Sequence, residues 1–127
     1  TAYTDFEEDD LFSTIFTSDT LFPNLTLMQI FMHNCSEWTV TDASNVGFHT
    51  VAALLNASAS ENGHMTYGYT VAQVIALYNG TDYTNAQLAY KFLNLEDESP
   101  LYPWITCPLK PGGDQISCSE VTIPPTP

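Results

Sequence analysis

The chain has 127 residues and 14.0 kDa, enough for one domain; it is 44% hydrophobic and only 13% charged, a composition that builds a core rather than a disordered tail. Fifteen Asp and Glu stand against two basic residues, Lys91 and Lys110, so the net charge is −13 and arginine is absent. That balance argues against nucleic acid and anionic membranes as partners, and it removes the guanidinium that usually clamps a phosphate or sulfate.

In chain order, the acidic run Glu7-Glu8-Asp9-Asp10 leads into Leu11, Phe12, Ile15 and Phe16, which share one helical face. The run lacks the alternating ligands and the glycine of an EF-hand loop and reads as a solvated helix start. Residues 25–38 carry Leu25, Leu27, Met28, Ile30, Phe31, Met32 and Trp38, a density that predicts a buried helix capped by Pro23-Asn24. Residues 39–48 are polar and turn-like. His49 to Leu55 reads as a short helix dissolving into the Ser- and Asn-rich stretch 56–63.

From Met65 to Tyr78, the side chains Tyr67, Tyr69, Val71, Ile75 and Leu77 alternate along one face, interrupted by Gln73, which predicts a strand. Asn79-Gly80 is the dipeptide favoured in tight hairpins, and Tyr83 to Leu93 then pairs back as an antiparallel strand. Ala86 to Leu93 is also a passable helix by propensity; the hairpin turn decides for the strand. Beyond the acidic loop Glu96-Asp97-Glu98, the residues Pro100, Pro103, Pro108 and Pro111 forbid long regular elements. The Pro-rich tail 123–127 is extended, as a linker or as an arm that docks on a neighbour. No repeat with a period of about twenty to fifty residues is visible.

Four N-x-S/T sequons, at Asn24, Asn34, Asn56 and Asn79, point to N-glycosylation and an extracellular setting, with chance matches in a Thr-rich chain as the competing explanation. Cys107 and Cys118 bracket a loop with Pro108, Pro111, Gly112 and Gly113, of the kind a disulfide staples. Cys35 is left over, as a free buried thiol or an intermolecular bond. No apolar stretch is long enough to span a membrane, and Thr1 is preceded by neither Met nor a leader, so the expectation is a processed chain or a piece cut from something longer.

The inventory for catalysis is thin. There is no G-x-S-x-G elbow, no CxxC, and no Gly-rich phosphate loop; His33, His49 and His64 lie in three segments, none at ligand spacing from another. His33 reads as an interior residue. Fifteen acids always contain a pair fit for a glycosidase, so that reading has no specific support. No cofactor or metal is implied.

Val46-Gly47-Phe48-His49-Thr50 running into Val51-Ala52-Ala53-Leu54-Leu55, then Tyr69 to Tyr78, an Asn-Gly turn, Tyr83 to Tyr90, and finally Cys107 and Cys118 follow one another in an order that resembles the C-terminal part of the histidine acid phosphatase family. The resemblance covers about residues 46–123 and implies part of a central α/β sheet. It also marks what is missing. The family's Arg-His-Gly nucleophile motif has no counterpart here, nor do the phosphate-holding arginines, and the His-Asp proton donor aligns with Gly47 and Phe48. Phosphoryl transfer is stabilised mostly by positioned positive charge, which this chain lacks.

The expectation is therefore a partial histidine-phosphatase-like α/β domain over residues 1–122, with a C-terminal β-hairpin, followed by the tail 123–127. An open sheet edge and an exposed apolar face would need covering, so another chain or a second copy is expected to complete it. The expected function is that of a secreted, N-glycosylated, non-catalytic assembly subunit of an extracellular polymer or coat. One alternative is the C-terminal chain of a processed acid phosphatase. The other is a carbohydrate-binding module using Tyr67, Tyr69 and Trp104.

Overall fold

A computed structural model describes residues 4–31 and 42–98. Among these residues five helices follow one another: α1 Phe12–Ile15, α2 Leu27–Phe31, α3 Asp42–Glu61, α4 Val71–Asn79 and α5 Asn85–Glu98. The α/β expectation is overturned. Among the described residues there is no sheet and no hairpin, only an isolated antiparallel bridge between Leu11 and Thr26.

The reason lies in how three helices begin. Thr26-x-x-Gln29, Thr70-x-x-Gln73 and Thr84-x-x-Gln87 are capping boxes, in which the Thr hydroxyl accepts from the Gln amide and the Gln side chain accepts from the Thr amide. The distances are 3.2 and 2.9 Å at Thr26, 3.1 and 2.9 Å at Thr70, and 3.2 and 2.9 Å at Thr84. Once Thr70 starts α4, Val71, Val74, Ile75 and Tyr78 form a helical face, with Val74 fully buried, and this overrides the strand-like alternation. In α5, Leu88, Ala89 and Phe92 form the buried face. Asn79-Gly80 makes no hairpin: Gly80 caps α4 with φ −77°, donating to the Ala76 carbonyl at 3.0 Å, where a type I′ turn needs φ above zero.

The predicted helix start at residue 11 survives as one turn. Phe12 and Phe16, both fully buried, stack with centroids 4.4 Å apart. The cap of α2 is Thr26; Asn24 sits in the preceding turn at φ 65°. The continuation expected from Met32 to Trp38 lies outside the described residues. The strap before α1 serves as a further cap for α2, whose Leu27 and Met28 amides donate to the Asp10 and Glu8 carbonyls at 2.9 and 3.1 Å.

Helix α3 is central: α2, α4 and α5 all pack on it, and α4 and α5 make little contact with each other. It starts inside the stretch expected to be turn-like and runs through the one expected to dissolve. Every residue from Ala53 to Ala59 is buried, so this part of the helix is covered on all sides and shows no solvent stripe. Its small polar residues carry cross-links. Ser58 accepts from the Asp5 amide at 2.8 Å, and Ser60 from the Tyr67 amide at 3.2 Å. Gly63, at φ 83°, ends the helix in a Schellman motif; Gly63 donates to Ser60 (3.1 Å) and His64 to Ala59 (2.9 Å). Glu61 then takes the Val71 amide at 2.7 Å, placing a carboxylate at the start of α4.

Candidate functional site

Of the positions aligned with a catalytic His-Asp pair, Gly47 is buried in the core and Phe48 is half-buried beside it. Gly47 lies where α3 meets α2: a Cβ there would fall 2.5 Å from Phe22 Cζ and 2.9 Å from Ile30 Cγ2. Phe48 stacks on Phe31 with centroids 4.9 Å apart and meets His49 edge-on at 5.2 Å. Position 47 therefore holds no side chain larger than hydrogen in this packing. Nor does the structure gather the histidines: His49 is half-buried in α3, and His64 is exposed just beyond that helix. His33 lies outside the described residues. Among the described residues no group of three His, Cys, Asp or Glu is placed to hold a metal, and no helix is long and apolar enough to cross a membrane.

The sequons differ sharply in setting. Asn24 is exposed at its left-handed turn. Asn79 is half-buried at the end of α4, its Oδ1 accepting from the Ser18 amide at 3.2 Å, which leaves the amide nitrogen as the atom a glycan would take. Asn56 is 7% exposed within α3, and Ser58 of the same sequon is fully buried. Asn34, Cys35, Trp104, Cys107, Cys118 and the tail 123–127 lie outside the described residues.

Among the described residues a cleft of about 360 Å³ lies beside α4, at the lower end of the ~300–1,000 Å³ of ligand pockets. It follows α4 and the connection that leads on to α5. Tyr69, Gln73, Ala76 and Leu77 line it from α4 and its approach; Gly80, Asp82 and Tyr83 line it from the connection to α5. Tyr69 is half-buried and backed edge-on by Tyr67 and Phe92, at 6.3 and 6.2 Å. Tyr83 is 42% exposed.

Lys91 links the two rings, its Nζ lying 6.0 Å from the Tyr69 centroid and 5.3 Å from that of Tyr83. Such cation–π contacts hold aromatic rings in place. Hydrogen bonding to Tyr69, followed by the charge interactions with Tyr69 and Tyr83, holds the ammonium above the usual lysine range. Of the residues expected to bind carbohydrate, Tyr69 lies in the cleft; Tyr67 is a core residue, 8% exposed.

Tyr83, Lys91 and Asp82 do not stand out in the sequence. The available signal is a short repeat: Tyr69-Thr70-Val71-Ala72-Gln73-Val74 and Tyr83-Thr84-Asn85-Ala86-Gln87-Leu88 share Tyr-Thr-x-Ala-Gln followed by an apolar residue. It places one tyrosine immediately before each cap, and these are the two tyrosines of the cleft.

The two segments that carry the phosphatase resemblance as strands are thus capped helices that leave a cleft beside them. No family model, no curated protein and no solved structure matches the chain.

Proposed function

We propose that this chain is a secreted, N-glycosylated, non-catalytic binding module, with the cleft beside α4 as its ligand site. The observation that carries the reading is the pair of tyrosines on the cleft wall, tied together by Lys91. The domain otherwise buries its large side chains: only Leu11, Tyr83 and Tyr90 are exposed large hydrophobics among the described residues. A concave surface that keeps two aromatic rings and a few polar groups is the usual form of a small-ligand site. The cleft lining includes one carboxylate, Asp82, and no His, Cys or Ser nucleophile, which favours binding over turnover.

Two measurements test this. Glycopeptide mapping of the protein from a secretory host should find glycan on Asn24 and none on Asn56, because a bulky hydrophilic glycan at a 7% exposed helical position is incompatible with the packing of α3. Phenol and tetrahydropyran, titrated into labelled full-length protein, should shift the NMR signals of Tyr69, Tyr83 and Ala76. If neither fragment does so, the cleft is not a binding site.

A second reading, assembly with another chain or a second copy, is favoured by Tyr90, 65% exposed on α5. Tyrosine is enriched at protein interfaces. Sedimentation velocity of the wild type against Tyr90→Ser would show a dissociating assembly if this reading held. The processed-phosphatase alternative has the crowding at Gly47 against it.

A further inference from the structure

We infer that the ligand of this cleft is a short neutral saccharide, stacked on Tyr69 and Tyr83 and hydrogen-bonded by Asp82 and Gln73. The inference rests on the binding-module reading above and goes further by naming the ligand class and a role for each residue.

A pyranose ring presents a patch of C–H groups on its face and hydroxyl groups round its edge. It therefore needs an apolar plate beside donors and acceptors that reach the rim. Tyr69 and Tyr83 are the plates. Tyr69 is fixed by Tyr67, Phe92 and the Lys91 ammonium; Tyr83, 42% exposed and held by the same ammonium, keeps part of its ring open to a ligand. Ala76 and Gly80 carry the smallest side chains, so a ring can lie close to the α4 backbone between the plates.

The rim groups are complementary. Gln73 Oε1 is engaged by the Thr70 amide at 2.9 Å, which turns the side chain into a donor through Nε2. The Asp82 carboxylate is an acceptor only and can take two sugar hydroxyls.

Charge narrows the class. The chain carries −13 overall, and Asp82 stands in the cleft itself, so a uronate or sulfated sugar is repelled. Lys91 places one positive charge beside the two rings, which balances Asp82 and leaves the overall negative charge of the chain opposing an anion. A cationic ligand meets the opposite difficulty, since the cation that aromatic faces attract is already supplied by Lys91. A neutral ligand is what remains. The volume of about 360 Å³ sets its length as short. Lys91 is a positioning residue in this arrangement, acting through the spacing of the rings.

The test is isothermal titration of the full-length protein with maltotriose, cellotriose and triacetylchitotriose, and with trigalacturonate as the charged counterpart. At least one neutral trisaccharide is expected to bind. Tyr83→Ala should weaken binding by about tenfold, with only a small drop in thermal stability because the ring stands outside the buried core. Asp82→Asn should weaken it less and should relieve the discrimination against trigalacturonate. Lys91→Met should weaken binding and broaden the Tyr83 ring signals, a change that mere loss of a surface charge would not produce.

The inference is overturned if no neutral trisaccharide binds, if trigalacturonate binds more tightly than all of them, or if Tyr83→Ala leaves affinity unchanged. Should the trisaccharides fail while phenol or tetrahydropyran still shifts Tyr69 and Tyr83, the saccharide assignment falls and the cleft stands as a site for another ligand. Should the fragments fail as well, both readings fall.

Discussion

Replacing Gly47 with alanine tests the helix contact on which the fold depends. Two effects oppose each other. Alanine is the better helix former by about 1 kcal/mol, and on an open helix surface the substitution would stabilise by that amount. At position 47 the new Cβ falls 2.5 Å from Phe22 Cζ and 2.9 Å from Phe22 Cε2 and Ile30 Cγ2. Carbon atoms in contact prefer about 3.5–4.0 Å, so the Phe22 ring must retreat by about 1 Å. It has nowhere to go: Phe22 is 1% exposed, Ile30 is fully buried, and Phe22 already meets Phe12 edge-on at 5.3 Å. Overpacking of this kind costs about 1–3 kcal/mol, and here, with backbone-anchored rings on the far side, the upper part of that range applies. After subtracting the propensity gain, a net loss of about 1–2 kcal/mol is expected, or roughly 4–12 °C in Tm for a domain of this size.

The assay is thermal and urea unfolding followed by circular dichroism at the helix band. Two controls separate clash from backbone effects. On a Phe22→Leu background the same substitution should cost clearly less, because the Phe22 atoms it strikes are gone and the Ile30 contact at 2.9 Å alone remains. Gly63→Ala, where nothing lies within 4 Å but φ is 83°, should cost about 1–2 kcal/mol that Phe22→Leu does not recover. A Gly47→Ala variant more stable than wild type would refute the close approach of α3 to α2.

Thr50→Val is expected to stabilise the protein by about 1 kcal/mol, since Thr50 is fully buried and its hydroxyl has no hydrogen-bond partner among the described residues; unfolding in urea checks this. Thr84→Ala removes the N-cap of α5 and should cost about 1 kcal/mol, with faster amide hydrogen exchange in the first turn of that helix. Tyr78 donates to Asp19 at 2.5 Å, and burial, followed by that bond and the carboxylate's charge, raises its pKa above the ordinary value near 10. The unfolded chain loses this proton near pH ~10 while the native state keeps it, so stability is fully present below that pH and declines above it. Tm measured from pH 8 to 11 should therefore fall more steeply above pH ~10 in the wild type than in Tyr78→Phe; parallel curves would sink the assignment.

What the sequence discloses depends on which physical signal is local. Leu11 to Phe16 is legible as a helix turn because Phe12 and Phe16 sit at i and i+4 and are buried together. Residues 71–79 resemble a strand because Tyr67, Tyr69, Val71, Ile75 and Leu77 alternate; the capping pair Thr70 and Gln73, with Val71, Val74, Ile75 and Tyr78 at helical spacing, carries the competing signal. Asn79-Gly80 misleads for a similar reason. The dipeptide is compatible with a hairpin, but here Gly80 adopts an extended conformation at the end of a helix.

Helix α3 is only partly legible, and its centre is not legible at all. A stripe of apolar residues appears when one face meets water, and Ala53 to Ala59 are buried throughout. Its Asn56 and Ser58 look like loop residues because they are small and polar, the property that lets neighbours come close and be tied by hydrogen bonds such as that from Asp5. Of the cleft, the sequence discloses Tyr69 but neither Tyr83 nor Lys91. Tyr83 joins it, with Lys91 against its ring, only through the turn after α4, which a hairpin would place differently.

The shared Tyr-Thr-x-Ala-Gln opening of α4 and α5 also bears on how the chain finds its native arrangement. Each segment nucleates with the same capping box, so the local start signal does not tell the two helices apart while α3 is still uncovered. The distinction lies in the residues beyond the box. Tyr78 of α4 reaches the Phe12 and Phe16 rings, while Leu88, Ala89 and Phe92 of α5 form a differently shaped buried face. What distinguishes the two seats on α3 is therefore side-chain packing and not the cap. A chain in which the two segments exchange seats would keep its helical circular dichroism and lose the Tyr78–Asp19 bond, making tyrosine absorbance a sharper probe of correct folding than helix content.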